Sequence, residues 1–303
     1  MPRAGFASLV GRPNAGKSTL LNRMIGTKVA IVSDKPQTTR NRIVAVKNMP
    51  GGQVVFVDTP GIHRPLHRLN VRMVDAAVDT LREVDVVALV FDASTRPGKG
   101  DEYVSTLFKP VKIPVVLVLN KIDLVSKSAL LPLMEHAKGW HDFAAIVPVS
   151  AGTGDGVERL EQVLLEHLPE SDPIYPEDFL TDQPERTFVS EIVREKVLLH
   201  TRNELPFTTA VIVDQFDESE RERMLRLYCT IYVETESQKP IIIGRGGSMI
   251  KQIGTEARKE MEAFFDTKVY LDLRVKVDPD WRNNDRTLDE IGVPRSVRKP
   301  RKR

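Results

Sequence analysis

Gly11-Arg12-Pro13-Asn14-Ala15-Gly16-Lys17-Ser18 is the stretch that most narrows what this chain can fold into. It satisfies G-x-x-x-x-G-K-[ST], the spacing with which a glycine-rich turn wraps backbone N–H groups around a polyphosphate, sends a lysine to the outer phosphates and leaves a hydroxyl for a divalent cation. The flanks supply the setting: Phe6–Val10 reads as a short buried strand, and the residues from Ser18 to Met24 read as a helix start. A strand that turns through glycines into a helix directs the helix's positive end and several N–H donors at one point. A phosphate chain is the counter-charge that suits them. The expected ligand is a nucleoside triphosphate held by Gly11, Asn14, Ala15, Gly16, Lys17, Ser18 and Thr19.

The chain has 303 residues, enough for two separately cored domains. Its 41% apolar and 28% charged residues are a globular composition, and its single cysteine, Cys229, excludes an internal disulfide. No run approaches the ~18 apolar residues of a membrane span, and Met1-Pro2-Arg3 leads straight into the first strand. A cytoplasmic protein is expected. From the start to residue 168, strand-like runs alternate with amphipathic stretches, which argues for α/β architecture around a mostly parallel six-stranded sheet. The strands are expected at Phe6–Val10, Arg42–Lys47, Gln53–Asp58, Val84–Asp92, Pro114–Asn120 and Ala144–Val149. Met49-Pro50-Gly51-Gly52 makes the second and third an antiparallel hairpin. A helix carrying Val157, Leu160, Val163, Leu164 and Leu168 closes the unit. Prolines and polar residues then mark 169–183 as a linker.

Three further motifs fall at strand ends. Asp58-Thr59-Pro60-Gly61 closes the third strand, where a carboxylate can hold a magnesium-bound water and the Gly61 N–H can reach a terminal phosphate. The spacing alone carries nothing, because Asp289-Glu290-Ile291-Gly292 matches it too; position beside the phosphate loop gives the first copy its weight. Asn120-Lys121-Ile122-Asp123 closes the fifth strand. Asp123 is suited to the N1–H and 2-amino donors of guanine, Lys121 to the base plane, and Asn120 to tying neighbouring loops together. Ser150 and Ala151, after the sixth strand, are expected to present N–H groups to guanine O6. The order of these motifs selects GTP and GDP over adenine nucleotides.

These residues resemble the translation-factor and Ras-related class of GTPases. Within it, Gln37-Thr38-Thr39-Arg40 and Asp58-Thr59-Pro60-Gly61-Ile62 are similar to the Era-type bacterial group, relatives of the tRNA-modification GTPase TrmE. The resemblance implies that Thr39, in preference to Thr38, closes on Mg2+ with Ser18 as second hydroxyl ligand and Asp58 acting through water. Lys17, Thr39, Gly61 and Asn14 would then serve hydrolysis. Where Ras-like proteins place a water-orienting glutamine this chain has Ile62, so slow intrinsic turnover is expected. In TrmE-like relatives an asparagine at the position of Asn14 accompanies a bound K+, an expectation carried here as well. His63 and His67 flank Pro65 with no acidic or cysteine neighbour and are not expected to hold a metal.

The second half, expected as a domain over 184–291 with a basic tail at 292–303, has another pattern. A helical stripe of Val189, Ile192, Val193 and Val197 precedes strands at Thr208–Phe216 and Met224–Glu236. A helix with Ile250, Ile253, Ala257, Met261 and Phe264 and a strand at Lys268–Val277 follow. Gly244-Arg245-Gly246-Gly247 between them reads as the G-x-x-G loop of a KH module, and the element order is similar to the type II KH topology. Ile242, Ile243, Ile250 and Ile253 are candidates for an apolar groove floor, with core packing the equal alternative; Arg245 and Lys251 are candidates for phosphate contact. A GTPase domain of this subtype joined to a KH domain resembles the Era family over nearly the whole chain. That resemblance implies binding to the 3′ region of small-subunit ribosomal RNA, a role in small-subunit assembly, a monomer, and peripheral contact with the inner membrane. The rival reading keeps the GTPase but makes the second domain a protein or membrane docking module.

Overall fold

The computed structural model describes all residues except 34, 36–37, 41, 59–67, 81–82, 97, 99–111, 202–204 and 294–303. The chain forms two compact units, one built mainly from residues up to Asp182 and the other from Gln183–Val293.

In the first unit β1 (Arg3–Gly11) leads through the phosphate loop into α1 (Lys17–Ile25). The hairpin β2 (Ile43–Met49) and β3 (Gly52–Asp58) follows, then α2 (Arg68–Thr80), β4 (Val86–Asp92), β5 (Val115–Asn120), α3 (Lys127–Ala137), β6 (Ala145–Pro148) and α4 (Val157–Glu166). The sheet order is β2-β3-β1-β4-β5-β6, with only β2 antiparallel to its neighbour. β4 reads Val-Val-Ala-Leu-Val-Phe-Asp without a polar alternate because both of its faces are covered. Ala88 and Val90 share a core with Leu20, Leu21 and Met24 of α1 and Leu160 and Leu164 of α4. Val87, Leu89 and Phe91 pack on the other side with Leu133, Met134 and Trp140. Parallel strands buried in this way bring Gly11, Asp58 and Asn120 to one sheet edge, at the carboxyl ends of their strands.

The stretch expected as a linker behaves otherwise. Residues 169–182 stay with the first unit and are bonded to it. Val46 donates its N–H to the Leu180 carbonyl at 2.9 Å, and Thr181 donates its hydroxyl to the Val44 carbonyl at 2.7 Å. Gln53, buried in β3, accepts the N–H groups of Ile174 and Tyr175 at 2.8 and 2.9 Å. Stacked Tyr175 and Phe179 cover Val44, Val46 and Val55. The proline-rich composition marks a chain without regular structure of its own; the covered sheet face explains why it is nonetheless held.

The second unit runs α5 (Glu185–His200), α6 (Leu205–Thr208), β7 (Ala210–Asp217), β8 (Met224–Val233), α7 (Lys239–Ile243), α8 (Ser248–Phe265), β9 (Lys268–Val277) and α9 (Asp285–Glu290). Its sheet order is β7-β8-β9, antiparallel then parallel. The helix–strand–strand–helix–helix–strand order is the type II KH arrangement expected from the sequence. Leu225, Leu227, Cys229, Ile231 and Val233 of β8 are buried and meet Ile192 and Val193 of α5 and Ala257 and Met261 of α8 in one core. Thr208 falls in α6, so the first strand starts two residues later than its alternating pattern suggests. Trp281 is wholly buried, with its indole N–H on the Thr208 carbonyl at 3.0 Å.

Candidate functional site

The phosphate loop owes its shape to two crowded glycines. Gly11 lies so close to β4 that a Cβ would stand 2.3 Å from the Val90 carbonyl oxygen. Gly16 has φ +87°, and a Cβ there would stand 2.3 Å from the Asn120 amide nitrogen. Asn14 also takes a left-handed conformation, with φ 65°. Around them is a cavity of about 340 Å³ lined by Asn14, Gly16, Lys17, Ser18, Thr19, Thr38, Thr39 and Lys121, among others.

Three oxygens gather at the Ser18–Thr39 side of it. The hydroxyls of Ser18 and Thr39 are 2.8 Å apart, and both donate to Oδ2 of the buried Asp58 carboxylate, at 3.1 and 3.3 Å. Thr38 turns away, its hydroxyl donating to the Lys35 carbonyl at 2.7 Å. Lys17 donates to the carbonyls of Gly11 and Arg12 at 3.3 and 3.2 Å. Burial lowers the pKa of its ammonium while the Asp58 charge works the other way. A buried cation held by neutral carbonyls is one that an incoming phosphate relieves. Gly61 and Ile62, and with them His63 and His67, lie outside the described residues.

At the base end, Asn120 donates its amide to the Ala15 carbonyl at 2.9 Å and accepts the N–H of Ala151 at 3.0 Å, joining the phosphate loop to the 150–152 loop. Asp123, exposed, accepts the Ser150 hydroxyl at 2.6 Å. Ser150 and Ala151, expected to present N–H groups to guanine O6, have those groups bonded within the protein. Ser150 N–H donates to the Asp155 carbonyl at 2.8 Å, and that of Ala151 is on Asn120.

In the second unit the G-x-x-G loop divides its glycines by task. Gly244 has φ +74°, and a Cβ would be 2.6 Å from Met249, so its bareness serves the protein's own packing. Gly246 and Gly247, with φ +59° and +79°, face open space, which is where a nucleic-acid backbone can approach. Behind the loop a groove of about 450 Å³ runs between α8 and β9, with Ile250, Lys251, Gly254 and Arg258 on one side and Leu271 and Leu273 on the other. Arg245 and Lys251 are exposed. Of the four isoleucines expected either to floor the groove or to pack in the core, Ile242 and Ile253 are 0% exposed and belong to the core, Ile243 is half-buried, and only Ile250 lines the groove, so the floor reading is corrected for Ile242 and Ile253. The apolar floor is supplied instead by alternate residues of β9.

Residues 6–121 match the family described as 50S ribosome-binding GTPase, and residues 209–282 match the KH domain. GTPase Era of Geobacter sp. strain M21 is 52% identical over 96% of this chain and 97% of its own length. The chain belongs to the Era family of GTPases. GTPase Era of Heliobacterium modesticaldum is 48% identical over the same share of both chains. Among solved structures, Era in complex with MgGDPNP and nucleotides 1506–1542 of 16S ribosomal RNA superposes with a TM-score of 0.93 at 41% identity, covering 97% of this chain and 99% of that one. A variant of Aquifex aeolicus Era bound to GDP·AlF4− superposes at 0.91, also 41% identical, over 96% and 99%.

Two residues of this Era-family GTPase escaped motif reasoning. Arg23, on the last turn of α1, donates to the carbonyls of Ala151, at 3.0 Å, and Gly152, and so pins the 150–152 loop from behind. Asp92, at the end of β4, receives the Lys121 ammonium at 2.6 Å. Burial works to raise the Asp92 pKa, but hydrogen bonds from Lys121 and Ser94 outweigh it and hold the carboxyl below its ordinary range. The available signal for Asp92 was its place at a strand's carboxyl edge; for Arg23 there was none beyond a basic residue near a helix end.

Proposed function

We propose that the chain is a GTP-dependent switch that binds the 3′ region of small-subunit ribosomal RNA through the α8–β9 groove and assists assembly of the small ribosomal subunit. The observation that carries it is the meeting of Ser18, Thr39 and Asp58, with oxygens 2.8–3.3 Å apart. Two hydroxyls and a carboxylate are a hard donor set that fits Mg2+, with Ser18 and Thr39 as direct ligands and Asp58 acting through water. Bound there, the ion neutralises charge on the outer phosphates. Thr39 has its strongest reason to stay in place when a terminal phosphate is present, so its segment is the element that reads GTP against GDP. Lys17 holds the outer phosphates, Asp123 and Lys121 the base, and Asn120 keeps the two loops in register. A relative 41% identical was solved with both a GTP analogue and ribosomal RNA, which supports assigning both ligands to this chain.

Hydrolysis is slow by itself because Ile62 cannot orient water. Asn14, on the cavity wall, supports a K+ beside the phosphates. Faster turnover in K+ than in Na+, lost in Asn14→Ala, is the expected result, and equal rates in both salts refute it. By likeness to the family we place the protein in the cytoplasm as a monomer, with membrane contact only peripheral; no helix among the described residues is long and apolar enough to cross a bilayer.

The test is binding of single-stranded ribosomal RNA 3′ segments with a GTP analogue, GDP or no nucleotide. Affinity that changes with nucleotide and falls in Gly247→Asp is expected. Absence of RNA binding favours the docking alternative, and binding indifferent to nucleotide removes the switch.

A further inference from the structure

The sheet of the second unit has two faces, and the helices cover one. With Leu225, Leu227, Cys229, Ile231 and Val233 of β8 in the core, Arg226, Tyr228, Thr230 and Tyr232 point to the other side. On β9 the core side takes Val269, Leu271, Leu273, Val275 and Val277, which leaves Lys268, Tyr270, Asp272, Arg274 and Lys276 on the open face. The parallel register sets Arg226 beside Tyr270 and Tyr228 beside Asp272. The Tyr228 and Tyr270 rings stand 5.9 Å apart, inclined at 59°. Tyr270 is 46% exposed. It sits on an edge strand and also borders the α8–β9 groove.

Charge divides this face. The β7 side carries Asp214 and Asp217, and Asp214 is already engaged, accepting the Thr230 hydroxyl at 2.6 Å. The β9 side carries Lys268, Arg274 and Lys276 against Asp272 alone. Across the edge, the groove wall adds Lys251 and Arg258. Cations therefore flank β9 on both sides, with an exposed aromatic ring between them. Thr230 is buried and Tyr228 half-buried on this face, whereas Tyr270 stays exposed on the side away from the core, so core packing does not account for it; a protein partner would call for an apolar centre where β9 presents charges.

We infer that the open face of β8 and β9 is an RNA surface continuous with the groove. Single-stranded RNA leaving the groove crosses β9 at Tyr270 and continues over the sheet, with bases stacked on Tyr270 and Tyr228 and phosphates beside Lys268, Arg274 and Lys276. Aromatic platforms flanked by cations hold unpaired nucleotides with little regard to sequence, so the footprint exceeds the roughly four nucleotides of a KH groove. This inference rests on the RNA reading of the groove, and the experiment separates the two.

Two RNAs from the 3′ end of small-subunit ribosomal RNA are compared by fluorescence anisotropy in the full chain: one of about five nucleotides, which the groove accommodates, and one of about twelve. Tyr228→Ala is the informative variant because Tyr228 does not line the groove. It should weaken the longer RNA about tenfold and leave the shorter unchanged, and Tyr228→Phe should restore the longer. Exchanging Lys268 and Lys276 for glutamine should lower the salt slope by about 1.4 for the longer RNA only. If Tyr228→Ala leaves both affinities unchanged while Gly247→Asp lowers both, the open face is not an RNA surface and the groove stands. Equal weakening of both RNAs in Tyr228→Ala, without rescue by phenylalanine, also overturns the inference. If Gly247→Asp binds both RNAs normally, the groove reading itself falls.

Discussion

In the first unit the motif residues at the strand ends are wired to one another: Asn120 spans Ala15 and Ala151, Ser150 holds Asp123, Lys121 meets Asp92, and Ser18 and Thr39 share Asp58. In the second unit the groove is bordered by exposed cations and by strand residues half-covered by α8, and its glycine loop leaves open space at Gly246 and Gly247. A small, multiply charged ligand needs donors whose positions are fixed before it arrives, since each fixed group spares the entropy of ordering it. A flexible polymer needs a channel, a field and stacking surfaces, which tolerate movement. One consequence is that single-atom changes should be severe in the first site and graded in the second.

The sharpest break of that comparison is at the base. If Asp123 holds the base as proposed, Asp123→Asn removes two charge-assisted hydrogen bonds and should weaken GTP on the order of a thousandfold, with preference moving to xanthosine nucleotides in competition assays; retained guanosine preference would remove Asp123 from base recognition. Gly16→Ala comes next. A left-handed alanine is strained, and its Cβ displaces the Asn120 amide, so affinity for a fluorescent GDP analogue should drop roughly a hundredfold. Normal affinity there would show that the loop is more yielding than its contacts suggest. In the second unit Gly247→Asp has room for its side chain, and although its φ of +79° strains an L residue, its main effect is to set a negative charge where a phosphate is proposed to approach. RNA affinity should fall about tenfold with GTP affinity unchanged, and unchanged RNA affinity would move the site elsewhere. Arg23→Ala is the mildest. With its two hydrogen bonds gone, the 150–152 loop loosens and GDP release measured by stopped flow should quicken about fivefold, with a smaller effect for Arg23→Lys; an unaltered release rate would make Arg23 purely structural.

Much of the fold was legible because it is written in short-range patterns. A parallel sheet covered on both faces leaves runs such as Val115–Asn120 with no polar alternate, and turn residues bound them, so the ends of the strands were placed within one to three residues. The stretch 169–182 misled because proline and polar composition describe how a segment lacks regular structure without saying what it touches. A signal did exist in Gln53, a polar side chain in an otherwise apolar run, which is buried so that it can bind the backbone at Ile174 and Tyr175. The groove misled for a related reason. Ile241-Ile242-Ile243 occupies three directions around a short helix, and only packing decides that Ile242 enters the core while Ile241 stays 49% exposed.

The sequence by itself determined which chemistry the chain carries and at which strand ends it appears. The glycine-lysine-serine spacing, the asparagine and aspartate after β5 and the glycines before α8 are fixed covalently and lie within single turns. Only the tertiary structure decided which distant groups meet: Asp92 under Lys121, Arg23 behind the 150–152 loop, and Leu271 and Leu273 in place of Ile242 and Ile253 along the groove. The physical reason is that a side chain's direction is set by the faces its element buries, and those are settled only when sheets and helices pack.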